Sequence, residues 1–107
     1  MNKNEKNSKE NNILSLIPKA EKYSIGTEYK LSIYRMLTNI VGLSKTEESK
    51  KINCLNIVDT ELNLQRIYLR IMYKNGWIND KKLNTCMEQI TKKHKKLLDR
   101  KIQNDIY

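Results

Sequence analysis

Two arginines stand four residues apart in the stretch LNLQRIYLRIMYK, Arg66 and Arg70. On a helix that spacing puts both guanidinium groups on one face, a turn apart. Each presents a planar fork of donors that suits phosphate oxygens and carboxylates alike. The pair reads in two ways: as a site for a phosphate-bearing or acidic partner, or as salt bridges within or between helices, with Asp59 and Glu61 the nearest acids. A second basic group follows. Lys81, Lys82, Lys92, Lys93, Lys95, Lys96 and Arg100 gather on the polar face of the last helical segment. Such a row can track a nucleic-acid backbone, with affinity that falls steeply with salt because each neutralised phosphate releases counterions. It has no sequence readout of its own. The alternative is a solvated outer face.

The remaining chemistry is sparse. His94, the single histidine, falls among apolar positions and reads as a packed or partly exposed core residue. No nucleophile or carboxylate pair accompanies it at a spacing useful for acid–base catalysis. Cys54 and Cys86 form no CxxC, and with one histidine they cannot complete a metal cluster. Reduced thiols in a cytoplasmic protein are the expectation. No glycine-rich phosphate loop is present, so the chain is expected to be neither an enzyme nor a cofactor or metal carrier. Tyr23, Tyr29, Tyr34, Tyr68 and Tyr73 can stack on bases, but four lie on helical segments, where packing with the hydroxyl at the rim is the better reading.

Charge sharpens the choice of partner. The 107 residues carry 21 Lys and Arg against 12 Asp and Glu, a formal net charge of +9. That balance points to a polyanion, most often nucleic acid. AT-rich coding, which inflates Lys, Asn and Ile, produces the same excess without a function. No apolar run is long enough for a transmembrane helix. The N-terminus has charge but no apolar core of a signal peptide.

Three long helices must position these groups. Residues 1–12, MNKNEKNSKENN, are polar and are expected to be a disordered tail. Residues 13–107 form the folded domain, opening with a short apolar arm at 13–17. Pro18 ends whatever precedes it, Ser24 is a candidate N-cap, and Gly26 allows a close backbone approach. The first helix is expected at 24–43, with Tyr29, Ile33, Met36, Leu37 and Ile40 as its stripe. The second is expected at 46–74, stopped by Asn75-Gly76. Leu55, Val58, Leu62, Leu69 and Met72 make one apolar stripe on it, and Ile57, Leu64, Tyr68 and Ile71 a second. Together they cover roughly half the circumference, wider than an ordinary surface helix. This helix should be central, or should face a neighbouring subunit as well. The third is expected at 79–103, with Leu83, Cys86, Met87, Ile90, His94, Leu97, Leu98 and Lys101 on one face, and Trp77 in the preceding loop plugging the bundle end. Short connections predict an all-α, antiparallel helical bundle.

The order of these pieces carries a resemblance. PKAEKYSIG, residues 18–26, resembles the P-[KR]-x-x-[KR]-[FY]-x-[LI]-G entry segment of the Avd-like four-helix-bundle family, the accessory variability determinants of diversity-generating retroelements. The helical proteins of ribosomal RNA intervening sequences have a related segment. LNLQRIYLRIMYKNGWIND resembles the family's L-x-x-L-R-x-x-L-R segment and the break before its last helix, and Arg66 and Arg70 match its arginines. The similarity spans roughly residues 14–103. Family members usually carry a long helix before the entry segment, so here three long helices and a short N-terminal arm are expected. Lys95-Lys96-Leu97 stands where the family usually has a Gly-Gly-Trp-like stretch. The resemblance implies a non-enzymatic accessory protein that forms pentamers, binds RNA or DNA and associates with a reverse transcriptase during mutagenic retrohoming. The alternative is a structural bundle of the intervening-sequence type.

Overall fold

The computed structural model describes residues 13–106, all helix and connecting turns with no strand among them. The tail at 1–12 lies outside the described residues, as does Tyr107. Residues 13–16 make one helical turn, with Ile13 and Ile17 buried in the core. Three long helices follow: α1 (Thr27–Gly42), α2 (Glu48–Lys74) and α3 (Asp80–Ile106). Both α1 and α3 pack on α2 and barely touch each other. The centre of the core is therefore the α2 stripe Leu55, Val58, Leu62, Leu69 and Met72, every member buried.

The helix that becomes α1 starts earlier than the Ser24 cap requires. Pro18 gives its carbonyl to the Glu21 amide at 2.9 Å and opens a helical turn at Lys19–Glu21. A π-helical turn, Lys22–Gly26, then joins it to α1. Ser24 sits inside this turn and caps nothing. Its hydroxyl donates to the Glu21 carbonyl oxygen at 3.2 Å. Gly26 is helical and buried.

The stripe of α1 is rotated from its apolar pattern. Tyr29, Ile33 and Met36 are buried, but Leu37 and Ile40 are exposed, and polar Ser32 is fully buried in their stead. The cause lies on α2. Ser32 donates to the Glu61 carbonyl at 3.1 Å and accepts from Gln65 Nε2 at 3.3 Å. Arg35 donates Nε to Glu61 Oε2 at 2.9 Å and Nη2 to Oε1 at 3.3 Å. Glu61 and Gln65 are both buried, so a satisfied polar seam runs through the α1–α2 contact. With α3 barely touching α1, one side of that helix stays open. The second stripe of α2 is also less buried than its pattern suggests: Ile57 is exposed, and Leu64, Tyr68 and Ile71 are half-buried.

The ends of α2 follow from local chemistry. Thr46 does not start the helix, because its hydroxyl donates to the Gly42 carbonyl at 2.6 Å and closes the preceding segment. Glu47 takes the cap position instead. At the other end Gly76 adopts φ 75°, where only glycine is unstrained. Its amide bonds to the Tyr73 carbonyl at 2.9 Å, and the Trp77 amide to the Met72 carbonyl at 3.0 Å. That pair of bonds is the Schellman stop. Asn79 then caps α3, its side-chain oxygen accepting from the Lys82 amide at 2.8 Å. No glycine or proline follows Gln103, and α3 runs on to Ile106.

Candidate nucleic-acid interface

The cations of α3 form two groups along the helix. Lys81 and Lys82 sit in its first turn and line an open hollow with Leu16 and Trp77. Trp77 is half-buried against the core, and buried Ile78 closes that end beside it. The larger group begins at Lys92, ten residues and about 15 Å beyond Lys82. Lys92, Lys93, Lys95, Lys96 and Arg100 are all exposed. None pairs with an acid among the described residues. These charges do not share a single outward face, as the sequence pattern implied. Lys93, Lys96 and Arg100 border the groove between α1 and α3, while Lys95 borders a hollow with Asp59, His94 and Lys101 on the other side. Their reach around α3 follows from the narrow contact with α2, which leaves most of its circumference to solvent.

The α2–α3 junction holds what the sequence spacing could not reveal. His94 keeps 20% of its side chain exposed and places Nε2 2.8 Å from Asp59 Oδ1. Its Nδ1 lies 2.7 Å from Arg66 Nη1. An arginine only donates, so Nδ1 is the acceptor and the Nε2 proton goes to Asp59. Both ring nitrogens are engaged, which leaves His94 no lone pair for a substrate. The acid that accompanies it comes from a different helix, 35 residues away in the chain, so a search along the sequence misses it.

Arg66 and Arg70 have different surroundings. Arg66 is half-buried and also donates to Thr91 at 3.3 Å and to Asn63 at 3.3 Å. Its partners are neither of the acids considered from the sequence, because Asp59 is held by His94 and Glu61 by Arg35. Arg70, one turn on, is exposed and bonds to no described residue. The structure thus separates the two arginines, one built into the junction and one facing outward.

The chain matches no family model, no curated protein and no solved structure.

The tyrosines divide likewise. Tyr29 is buried and Tyr68 half-buried. Tyr34 is exposed, with the Lys30 ammonium 5.7 Å from its ring centre. Tyr73 donates its hydroxyl to Asp80, the first residue of α3. This bond holds the phenol above its ordinary range, with the Asp80 charge adding to the effect. Among the described residues no group of His, Cys, Asp and Glu could hold a metal, and no helix is long and apolar enough to cross a membrane.

Proposed function

We propose that this protein is a basic, non-enzymatic accessory protein that binds nucleic acid, with template RNA as the ligand, and associates with the reverse transcriptase of a diversity-generating retroelement. The observation that carries the nucleic-acid reading is the set of exposed, unpaired cations at Lys92, Lys93, Lys95, Lys96 and Arg100. Lysines on mobile stems supply affinity for a phosphate backbone, and base readout is absent from such contacts. The retroelement role rests on the resemblance of residues 18–26 and of the Arg66–Arg70 segment.

An antiparallel, Avd-like bundle is part of the same proposal. Contacts that run in opposite order along the chain, Tyr73 with Asp80 and Asp59 with His94, and Ser32 with Gln65 and Thr46 with Cys54, support opposed directions for neighbouring helices. A homo-oligomer, pentameric by resemblance, is supported by exposed apolar side chains at Ile57, Ile67, Leu98 and Ile102. One observation favours the second reading, a structural bundle of the ribosomal intervening-sequence type: Arg66 is already committed to the α2–α3 junction.

Two tests separate these readings. A reverse transcriptase gene with a near-identical template and variable repeat pair should lie close to this gene, and its product should co-purify with this protein. Single-stranded RNA should bind with strong salt dependence. Absence of both the gene neighbourhood and the salt-dependent binding would leave the structural reading.

A further inference from the structure

The groove between α1 and α3 joins three of the cations of the nucleic-acid reading to an apolar side that a phosphate backbone does not use. Its floor is apolar and already buried, built from Met36 on α1, Leu55 and Val58 on α2, and Leu97 on α3, with Ile40 exposed at its α1 edge. No aromatic ring lines it, so it offers no platform for stacking bases. It encloses about 220 Å³. Beyond Ile40 the outer side of α1 continues apolar, with Leu37 46% and Val41 67% exposed. The opposite wall is cationic: Lys93, Lys96 and Arg100 border the groove at intervals of three and four residues. That row spans about 10 Å along α3.

We infer that this groove receives an amphipathic helix from another protein, seated with a leucine-type stripe along the exposed Leu37–Ile40–Val41 edge and with acidic residues along the flank that faces α3. α1 and α3 pack on the same central helix and barely touch each other, which leaves the groove between them open to side chains projecting from a helix laid over it. A helix laid between them buries the Leu37–Ile40–Val41 lip in the helix-in-groove mode. Charge identifies the occupant. A row of three cations calls for Asp or Glu spaced three and four residues apart on the incoming helix. Two nearer candidates lack that chemistry. A second copy of this chain brings a net charge of +9 to a basic wall, and the segment 1–12 holds three Lys against two Glu with Met1 its one apolar side chain. The inference goes beyond the nucleic-acid reading, since it depends on the apolar edge as well as the charge.

A fluorescent synthetic peptide of about 18 residues tests it, with leucine at heptad positions a and d and glutamate at e and g. Poly-glutamate and poly(U) RNA serve as the comparison ligands. The parent protein should bind the peptide at least about tenfold more tightly than poly-glutamate. Ile40→Asn keeps every charge, and should weaken the peptide about tenfold while leaving poly-glutamate and poly(U) binding unchanged. Leu37→Asn at the lip should act in the same direction. Lys96→Glu should weaken the peptide at least as much. Circular dichroism and melting establish that each variant is folded, and Leu37→Asn, at the more exposed site, carries the test if Ile40→Asn does not fold. Peptide binding no tighter than poly-glutamate, or unchanged in each apolar variant that folds, overturns the inference. Loss of poly(U) binding in Ile40→Asn would assign the groove to RNA, and loss of self-association there would assign it to a second copy. Either result also overturns it.

Discussion

The α1–α2 contact and the free surface of α3 use charge in opposite ways. In the first, Ser32 and Gln65 bond inside the core and Arg35 reaches from the surface to buried Glu61, and no buried side-chain donor or acceptor among the described residues is left without a partner. In the second, a row of lysines has no partner from the described chain. Charge bonded internally fixes the register of two helices. Charge left exposed is available to a partner and contributes little to stability. The core is thus centred on α2, while α3 carries the exposed cations that the proposed nucleic-acid reading uses.

Substitutions on the two sides should differ accordingly. The largest loss is expected from Leu62→Ala. Leu62 is fully buried at the middle of α2, and removing its side chain should cost about 3 kcal/mol through reduced burial and the cavity left behind. Urea unfolding measures it. Comparable stability in the variant would mean that α2 is not the centre of the core.

Arg35→Ala should come next, lowering the melting temperature by several degrees. The deletion strands the Glu61 carboxylate, which is only 6% exposed. Arg35→Met combined with Glu61→Leu should recover much of the loss, because the combined variant leaves no unpaired charge. If the double variant melts no higher than the single one, the seam is held by something other than this pair.

Arg66→Ala and Arg70→Ala sharpen the contrast within one motif. Arg66 bridges α2 to His94 and Thr91 on α3, so its loss should cost about 1 kcal/mol. Arg70 is exposed without a described partner, and its loss should stay within about 0.5 kcal/mol. Any effect of Arg70→Ala on reverse transcriptase binding would then report recognition directly. Equal stability losses would remove the distinction.

Much of this architecture was legible as pattern. The buried stripe of α2, the Asn75-Gly76 stop and the Asn79 start each come from short-range rules, apolar periodicity and local hydrogen bonding. Ser24 and Thr46 show where those rules fall short. Both are good caps in isolation, yet each hydroxyl donates to a carbonyl three or four residues earlier. Leu37 and Ile40 depart from the pattern for a different reason. Periodicity locates an apolar face, but it cannot show that α3 stays off α1 and leaves that face open. The Asp59–His94–Arg66 junction was illegible because it joins residues from two helices. The basic residues themselves were plain in the sequence; their division between two sides of α3 was not.

A smaller effect is expected at Cys86. Burial pushes its thiol above the ordinary range, opposed by the nearby Lys82 and Lys93 charges. Below that raised value the thiolate fraction is low, and it grows as pH rises. Alkylation by iodoacetamide near pH 8 should thus be slower at Cys86 than for free cysteine, and slower again in Lys93→Ala. Mass spectrometry of the modified peptide follows both rates. Faster reaction in Lys93→Ala would show that the lysine shields the thiol sterically instead of lowering its pKa.

The central claim is that the unpaired lysines of α3 bind a nucleic-acid backbone. Its most direct test compares the slope of log affinity against log salt for single-stranded RNA in the parent protein and in Lys92→Ala with Lys95→Ala. Both residues are exposed, so the melting temperature should not change. The slope should fall by about 0.7 for each phosphate that is no longer neutralised, up to about 1.4 for the pair. A folded double variant that binds RNA with the parent's affinity and the parent's slope would contradict the account.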